Sequence, residues 1–287
     1  MKNTLTLSHR NLEPESGVLY IVGTPIGNLE DLSSRALNIF SNVSLIACED
    51  TRHTKKIMNK FKINNNLISF NKNNSYKKIP KILEDLKKGK SVALVSDAGM
   101  PGICDPGEDL VLNAKENNLD IICIPGPCAA ITALVSSGFP SSKFIFEGFL
   151  PKKKLEREKI LLEISKNEKT TILFESPHRL RKLLKELKIF CGGTRQIEVS
   201  RELTKRFEEH VGTNIDSVID FFKEKEVVGE ITLVIKGLEK STHQSLDKSF
   251  LRRELKDLIN AGLSLSAASK YLAKKKNIPK SQVYNLY

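Results

Sequence analysis

With 287 residues the chain is long enough for two domains, each able to bury a core without staples. Five scattered cysteines, odd in number and without a C-x-x-C or a Cys/His cluster, leave a structural zinc site with no ligand set; no metal is expected, and a reducing cytoplasm fits. The formal net charge of +12 points to a polyanionic partner, and the segment after residue 240 carries nine basic against three acidic residues, half of that excess.

Residues 1–16 read as a polar tail without the apolar core of a signal peptide, and no later run is long enough to span a bilayer, so no membrane partner is expected. The apolar run Val18–Val22 predicts a first strand and leads into Thr24–Leu29. Ser33 is placed to cap a helix over Ser33–Phe40. Strands follow at Leu45–Cys48 and Leu67–Phe70, then a helix over Lys77–Lys88 that Gly89 ends. Val92–Val95 leads into the loop Ser96–Gly107, and Ile121–Ile124 into Pro125–Ala130. Cys48 and Cys123 fall inside apolar runs, where a thiol behaves as a small hydrophobe. After Pro140 the rhythm changes: strand Lys143–Phe149, helix Leu155–Lys166, strand Thr170–Phe174, helix Pro177–Phe190, strand Gln196–Ser200, helix Ile215–Lys225 and strand Glu230–Ile235. The organisation expected is a polar tail (1–16), an α/β domain with the ligand loops (17–139), a second α/β domain (140–240) and a basic helical tail (241–287). That tail reads as Ser249–Asn260, Ser264–Lys276 and a last turn opened by Pro279, a helix-turn-helix-like unit compatible with RNA binding.

Three glycine- and proline-rich loops after three short strands are the build of an open α/β sheet, in which ligands sit beyond the carboxyl ends of the strands. No G-x-G-x-x-G follows the first strand and no G-x-x-x-x-G-K-[ST] occurs, so dinucleotide and nucleotide P-loop readings lack their fingerprints. The competing reading is that the glycines and prolines only make tight turns.

Seven motifs stand in order along the chain: T-P-I-G-N-L (Thr24–Leu29), E-D-T-R (Glu49–Arg52), S-D-A-G-M-P-G-I-C-D-P-G (Ser96–Gly107), P-G-P-C-A (Pro125–Ala129), G-F-L-P-K-K (Gly148–Lys153), E-S-P-H-R-L (Glu175–Leu180) and R-E-L-T-K (Arg201–Lys205). This series resembles the tetrapyrrole methylase superfamily, and within it the branch that methylates small-subunit ribosomal RNA. Met100 and Gly102 depart from that pattern, which usually has Thr and a larger apolar residue there; the departures bear on cofactor affinity. The resemblance implies two α/β domains of tetrapyrrole-methylase type, without a Rossmann motif, plus a small C-terminal helical module. It also implies a homodimer, S-adenosyl-L-methionine as methyl donor, and transfer to the 2′-hydroxyl of a cytidine in the decoding region, on free RNA or the 30S particle. A methyltransferase of small tetrapyrroles and a ribosome-associated binding protein without catalysis are the competing functions.

By the resemblance, Ser96, Asp97, Ala98, Gly99, Met100 and Ile103, with Pro127, Cys128, Ala129 and Ala130, hold the donor, and Pro25, Gly27 and Asn28 complete its pocket. Asp97 either bonds the donor's ribose or amino group or caps its own turn. Glu49 and Asp50 follow the second strand, where a carboxylate is placed to act as base; alternatively they are an acidic pair favourable to a helix N-terminus. Arg52 is a phosphate candidate. Arg201 and Lys205 are the same kind of candidate in the second domain, against a solvated, salt-bridged surface. His178 reads as a structural histidine.

Overall fold

The computed structural model describes residues 13–239, 248–276 and 278–287. The expected linker Lys236–Thr242 and the start of the basic tail lie partly outside these residues, as does most of the expected polar N-terminal tail. The described chain forms two compact units, one ending at Gly237 and one beginning at Leu238.

The larger unit holds two five-stranded sheets. In the first, β1 (Leu19–Val22), β2 (Leu45–Cys48), β3 (Leu67–Ser69), β4 (Val92–Val95) and β5 (Ile121–Ile124) lie in the order β3-β2-β4-β1-β5, every pairing parallel. Helices α1 (Ser34–Asn42), α2 (Thr51–Lys60), α3 (Ser75–Lys87) and α4 (Glu108–Glu116) make the crossovers. A parallel sheet is covered on both faces, so its strands read as continuous apolar runs; β1 and β4 are buried at every position. One face packs Tyr20, Ile39, Phe40 and Ile46, the other Leu19, Ile82, Leu94 and Leu110. Ser33 caps α1, its hydroxyl accepting the Ala36 N–H at 3.1 Å. Cys123 is a correction: β5 is an edge strand with one face uncovered, and the thiol is exposed.

Helix α5 (Ala129–Ser137) joins the halves, its Ala130, Ala133 and Leu134 packing on Ile172 and Val234 of the second sheet. That sheet is mixed: β6 (Phe144–Phe149), β7 (Thr170–Glu175), β10 (Ile231–Ile235), β8 (Ile197–Arg201) and β9 (Glu209–Gly212), in that order, with only β6 and β7 parallel. Helices α6 (Lys154–Lys166), α7 (Pro177–Cys191) and α8 (Ile215–Phe221) cover it. Strand β9 was not expected, because Glu209 and His210 give it no apolar signature. The expected helix to Lys225 stops at Phe221: Arg181 of α7 donates to the carbonyls of Phe222 (2.8 Å) and Lys225 (2.6 Å), taking the chain out of the helical ladder.

The smaller unit contains α9 (Lys248–Asn260), α10 (Leu265–Lys276) and α11 (Lys280–Tyr284) around Leu255, Ala268, Leu272 and Val283. Glu254 takes in Lys275 at 3.1 Å and Lys276 at 3.4 Å, whereas Arg253, Lys256, Lys270 and Lys274 stand exposed. Among the described residues, no helix is long and apolar enough to cross a membrane.

Candidate active site

The three loops converge at the carboxyl edge of the first sheet. Thr24 and Gly99 pair as a two-bond bridge, N–H to carbonyl at 2.9 and 3.1 Å, and the Thr24 hydroxyl also bonds the Ser96 carbonyl at 3.2 Å. The Ser96 hydroxyl closes the turn on the Ala98 and Gly99 carbonyls. Where β1 and β5 end, Gly23 and Gly126 let two backbones touch: a Cβ on Gly23 falls 2.6 Å from the Gly126 Cα. Any side chain there would wedge the first and third loops apart.

These loops wall a cavity of about 370 Å³ whose other side is the second sheet. Ala98, Gly99, Met100, Ile103, Cys128 and Ala129 line it from the first half. Phe149, Phe174, Glu230 and Thr232 line it from the second, together with the backbone around Ser176. Pro25, Pro127 and Ala130 are not among the residues that line it. Gly27 and Asn28 meet the second half instead: the Asn28 N–H donates to the Thr204 hydroxyl at 3.0 Å, and a Cβ on Gly27 would strike that hydroxyl at 2.7 Å. Asp97 does not cap its own turn. It accepts the Asp50 N–H at 3.0 Å, tying the second loop to the end of β2, with His53 3.9 Å away.

Asp50 is the N-cap of α2, accepting the Arg52 N–H at 2.8 Å, and its carboxylate pairs with the Arg52 guanidinium at 2.5 Å. Those Arg52 hydrogen bonds lower its pKa to about 2, so Asp50 holds a proton poorly. Glu49 is the opposite case. Burial pushes its carboxyl up, and the neighbouring Asp105 and Asp97 push it further. Asp105, which lines the cavity, is also raised, chiefly by burial. Glu49 itself is not among the residues that line the cavity; a carboxyl raised by burial and by neighbouring carboxylates takes up a proton more readily than a free one.

In the second half, Arg201 pairs with Glu209 at 3.1 Å, and Lys205 bridges Glu202 (2.8 Å) and Glu230 (3.1 Å). Burial works against the Lys205 charge, but Glu202 and Glu230 outweigh it and hold the ammonium above its ordinary range. His178 is exposed. Beneath it the fully buried Glu175 is ion-paired to Arg157 (3.5 Å) and Arg179 (3.3 Å), and Arg157 also to Glu186 (2.7 Å). Phe149, Phe174, Asp105, Glu230 and Thr232 escaped sequence reasoning as cavity residues. Asp105 and Phe149 did lie inside the motifs Ser96–Gly107 and Gly148–Lys153.

The family model for Tetrapyrrole (Corrin/Porphyrin) Methylases matches residues 18–219. The chain belongs to that family. Among curated relatives of this methylase, a protein of Synechocystis named ribosomal RNA small subunit methyltransferase I is 43% identical over 94% of the chain and 97% of the relative. Its namesake in Bacillus subtilis is 39% identical over 96% of each. The Thermotoga maritima namesake, 46% identical, is matched over its whole length by 78% of this chain. Solved structures share the fold: a cobalt precorrin-4 methyltransferase (TM-score 0.59, 18% identity, 77% of this chain and 95% of that one) and the Thermus thermophilus uroporphyrin-III C-methyltransferase, complexed with S-adenosylhomocysteine (TM-score 0.54, 15%, 76% and 96%). This chain is thus a methyltransferase of a family whose methyl donor is S-adenosylmethionine. The cavity fits that donor. None of the described residues lining it is lysine or arginine, and loop backbone with Asp105 and Glu230 forms much of its wall, an environment suited to a cationic sulfur.

Proposed function

We propose that this methylase transfers a methyl group from S-adenosylmethionine to the 2′-hydroxyl of a cytidine in the decoding region of small-subunit ribosomal RNA. The observation that carries the reading is the near-full-length identity to relatives named for small-subunit ribosomal RNA. The basic excess of the chain supports it, because a folded polyanion needs an extended positive surface and a small tetrapyrrole does not.

The bound donor supplies a methyl group on a positively charged sulfur, open to in-line displacement. The chain's contribution is positional: loops Thr24–Leu29 and Ser96–Ile103, stitched to each other and closed by Cys128–Ala129, fix one partner while the second half presents the other. As the 2′-oxygen gains the methyl carbon it gives up its proton, and Glu49, raised and next to Asp105, takes it. Asp50 keeps Arg52 oriented. Arg52, still held by Asp50, offers its exposed guanidinium edge to an RNA phosphate, and Arg201 and Lys205 hold phosphates by exchanging their present carboxylate partners for them. The exposed cations of the smaller unit add sequence-independent affinity. A homodimer and a cytoplasmic setting complete the proposal; sedimentation of the purified protein tests the first.

The deciding experiment transfers labelled methyl from S-adenosylmethionine into small ribosomal subunits lacking their native ribose methylation and maps the nucleotide. Label in a 2′-O-methylcytidine is expected. Label entering uroporphyrin-III instead would move the chain to the tetrapyrrole branch. Donor binding without transfer to either would leave the acceptor assignment wrong.

A further inference from the structure

Strand β6 contains a device that the reaction as described does not use. Phe146 and Phe149 are three residues apart, and in a regular strand an odd separation sends side chains to opposite faces. Here both rings pack on Phe174, with centroids 5.0 and 5.6 Å away. The cause is a register shift against β7 between Phe146 and Gly148, where Gly148 takes φ +61°. A bulge of this kind re-aims the side chain that follows it. A Cβ at 148 would lie 2.8 Å from the Cys104 sulfur, so the bulged backbone sits against the donor loop.

The position is also clamped from the far side. Arg179 donates to the Leu150 carbonyl at 2.9 Å, and its guanidinium is anchored 3.3 Å from the buried Glu175. Special backbone, the clamp on Leu150 and the contact with Phe174 therefore fix the Phe149 ring, yet that ring is 55% exposed at the rim of the cavity. Core burial does not explain this placement. A pre-positioned, half-exposed aromatic face beside a methyl-donor site is what an unstacked base needs.

We propose that Phe149 is the platform on which the nucleobase of the target nucleotide, in a single-stranded stretch of RNA, stacks while its ribose faces the cavity; this rests on the function proposed above. The flat ring has no hydrogen-bonding group, so it orients the base without reading its edge. Phe174 backs the platform, and Phe146 backs Phe174.

The test compares Phe149→Ala and Phe149→Tyr with the wild type. Methyl transfer to unmethylated small subunits is measured alongside calorimetric binding of S-adenosylhomocysteine. Base–aromatic stacking predicts that kcat/KM for the subunit falls about ten- to hundred-fold in the Ala variant and recovers to within about three-fold in the Tyr variant. The S-adenosylhomocysteine Kd stays within about two-fold of wild type in both, a shift too small to account for that loss. Loss of S-adenosylhomocysteine affinity in step with activity would overturn the proposal, because the ring would then serve the donor's adenine. An Ala variant as active as an active wild type would overturn it too. A wild type that binds S-adenosylhomocysteine but labels no subunit would mark failure of the function itself, and the platform falls with it.

Discussion

The two sheets of the larger unit build the candidate site from different materials. The parallel sheet offers mainly backbone: Gly23, Gly99 and Gly126 let three loops close on one another, and its charged contributions are the Glu49, Asp97 and Asp105 carboxylates and the Asp50–Arg52 pair. The mixed sheet offers side chains, with an aromatic ring at the rim, the Lys205 bridge, and a buried ion-pair network that keeps the strand ends in place. The difference is one of task. On the proposed function, the donor common to the family is held by a backbone mould, whereas side chains that vary freely on a scaffold are suited to a particular acceptor.

The sharpest way to break this division is to remove the proton acceptor assigned to the parallel half. Glu49→Gln should lower kcat by about two to four orders of magnitude, the usual contribution of a positioned base, and leave S-adenosylhomocysteine affinity unchanged. The pH profile supplies a second reading. Because burial, then Asp105 and Asp97, raise the Glu49 pKa, its base form is lost as pH falls through a value above the ordinary carboxylate range. The acidic limb should therefore begin higher than for a free glutamate and move to lower pH in Asp105→Asn. A limb that ignores both substitutions would place the base elsewhere.

The corresponding disruption in the mixed half should cost stability rather than chemistry. Arg157→Met strips the buried Glu175 of one partner and Glu186 of another. Breaking a buried pair from one side costs about 3–5 kcal/mol, read from denaturant unfolding. A variant with wild-type stability would mean that the network is maintained for function. Gly126→Ala is the milder counterpart in the parallel half. Its new Cβ lies 2.7 Å from the Gly23 Cα, backbone that cannot rotate away. Overpacking of this kind costs about 1–3 kcal/mol, and S-adenosylhomocysteine affinity should fall with it, since the cavity wall is what moves.

The same contrast explains what could be read in advance. Strands such as Leu45–Cys48 and Val92–Val95 lie where their apolar runs predict, because burial on both faces leaves no ambiguity of period. The loops were legible as well: Ala98–Met100, Ile103, Cys128 and Ala129 do line the cavity. The mixed half was harder. Its outer strands β6 and β9 are only partly buried, and a bulge reverses faces without any change in composition, so nothing in G-F-L-P marked Phe149 as a cavity residue. Strand β9 lacked an apolar run, and Glu230 and Thr232 reach the site only because β10 sits between β7 and β8.

The smallest expected effect concerns the module outside both sheets. A 46% identical relative is matched end to end by 78% of this chain, so about a fifth of the present sequence has no counterpart in it. The donor cavity lies entirely within the larger unit, and the exposed Arg253, Lys256, Lys270 and Lys274 do not line it. If these cations serve the acceptor, Arg253→Ala should leave S-adenosylhomocysteine binding untouched and weaken subunit binding only a few-fold. The more discriminating readout is salt. Each phosphate contact contributes about 0.9 to the slope of log K against log salt for a B-form duplex and about 0.7 for a single strand, so one lost contact flattens the plot by roughly that amount. Arg52→Ala, in the larger unit, should flatten it similarly while also lowering kcat, because Arg52 and Asp50 brace the loop beside Glu49. Equal slopes with unequal turnover would separate a residue that only holds the RNA from one that also positions it.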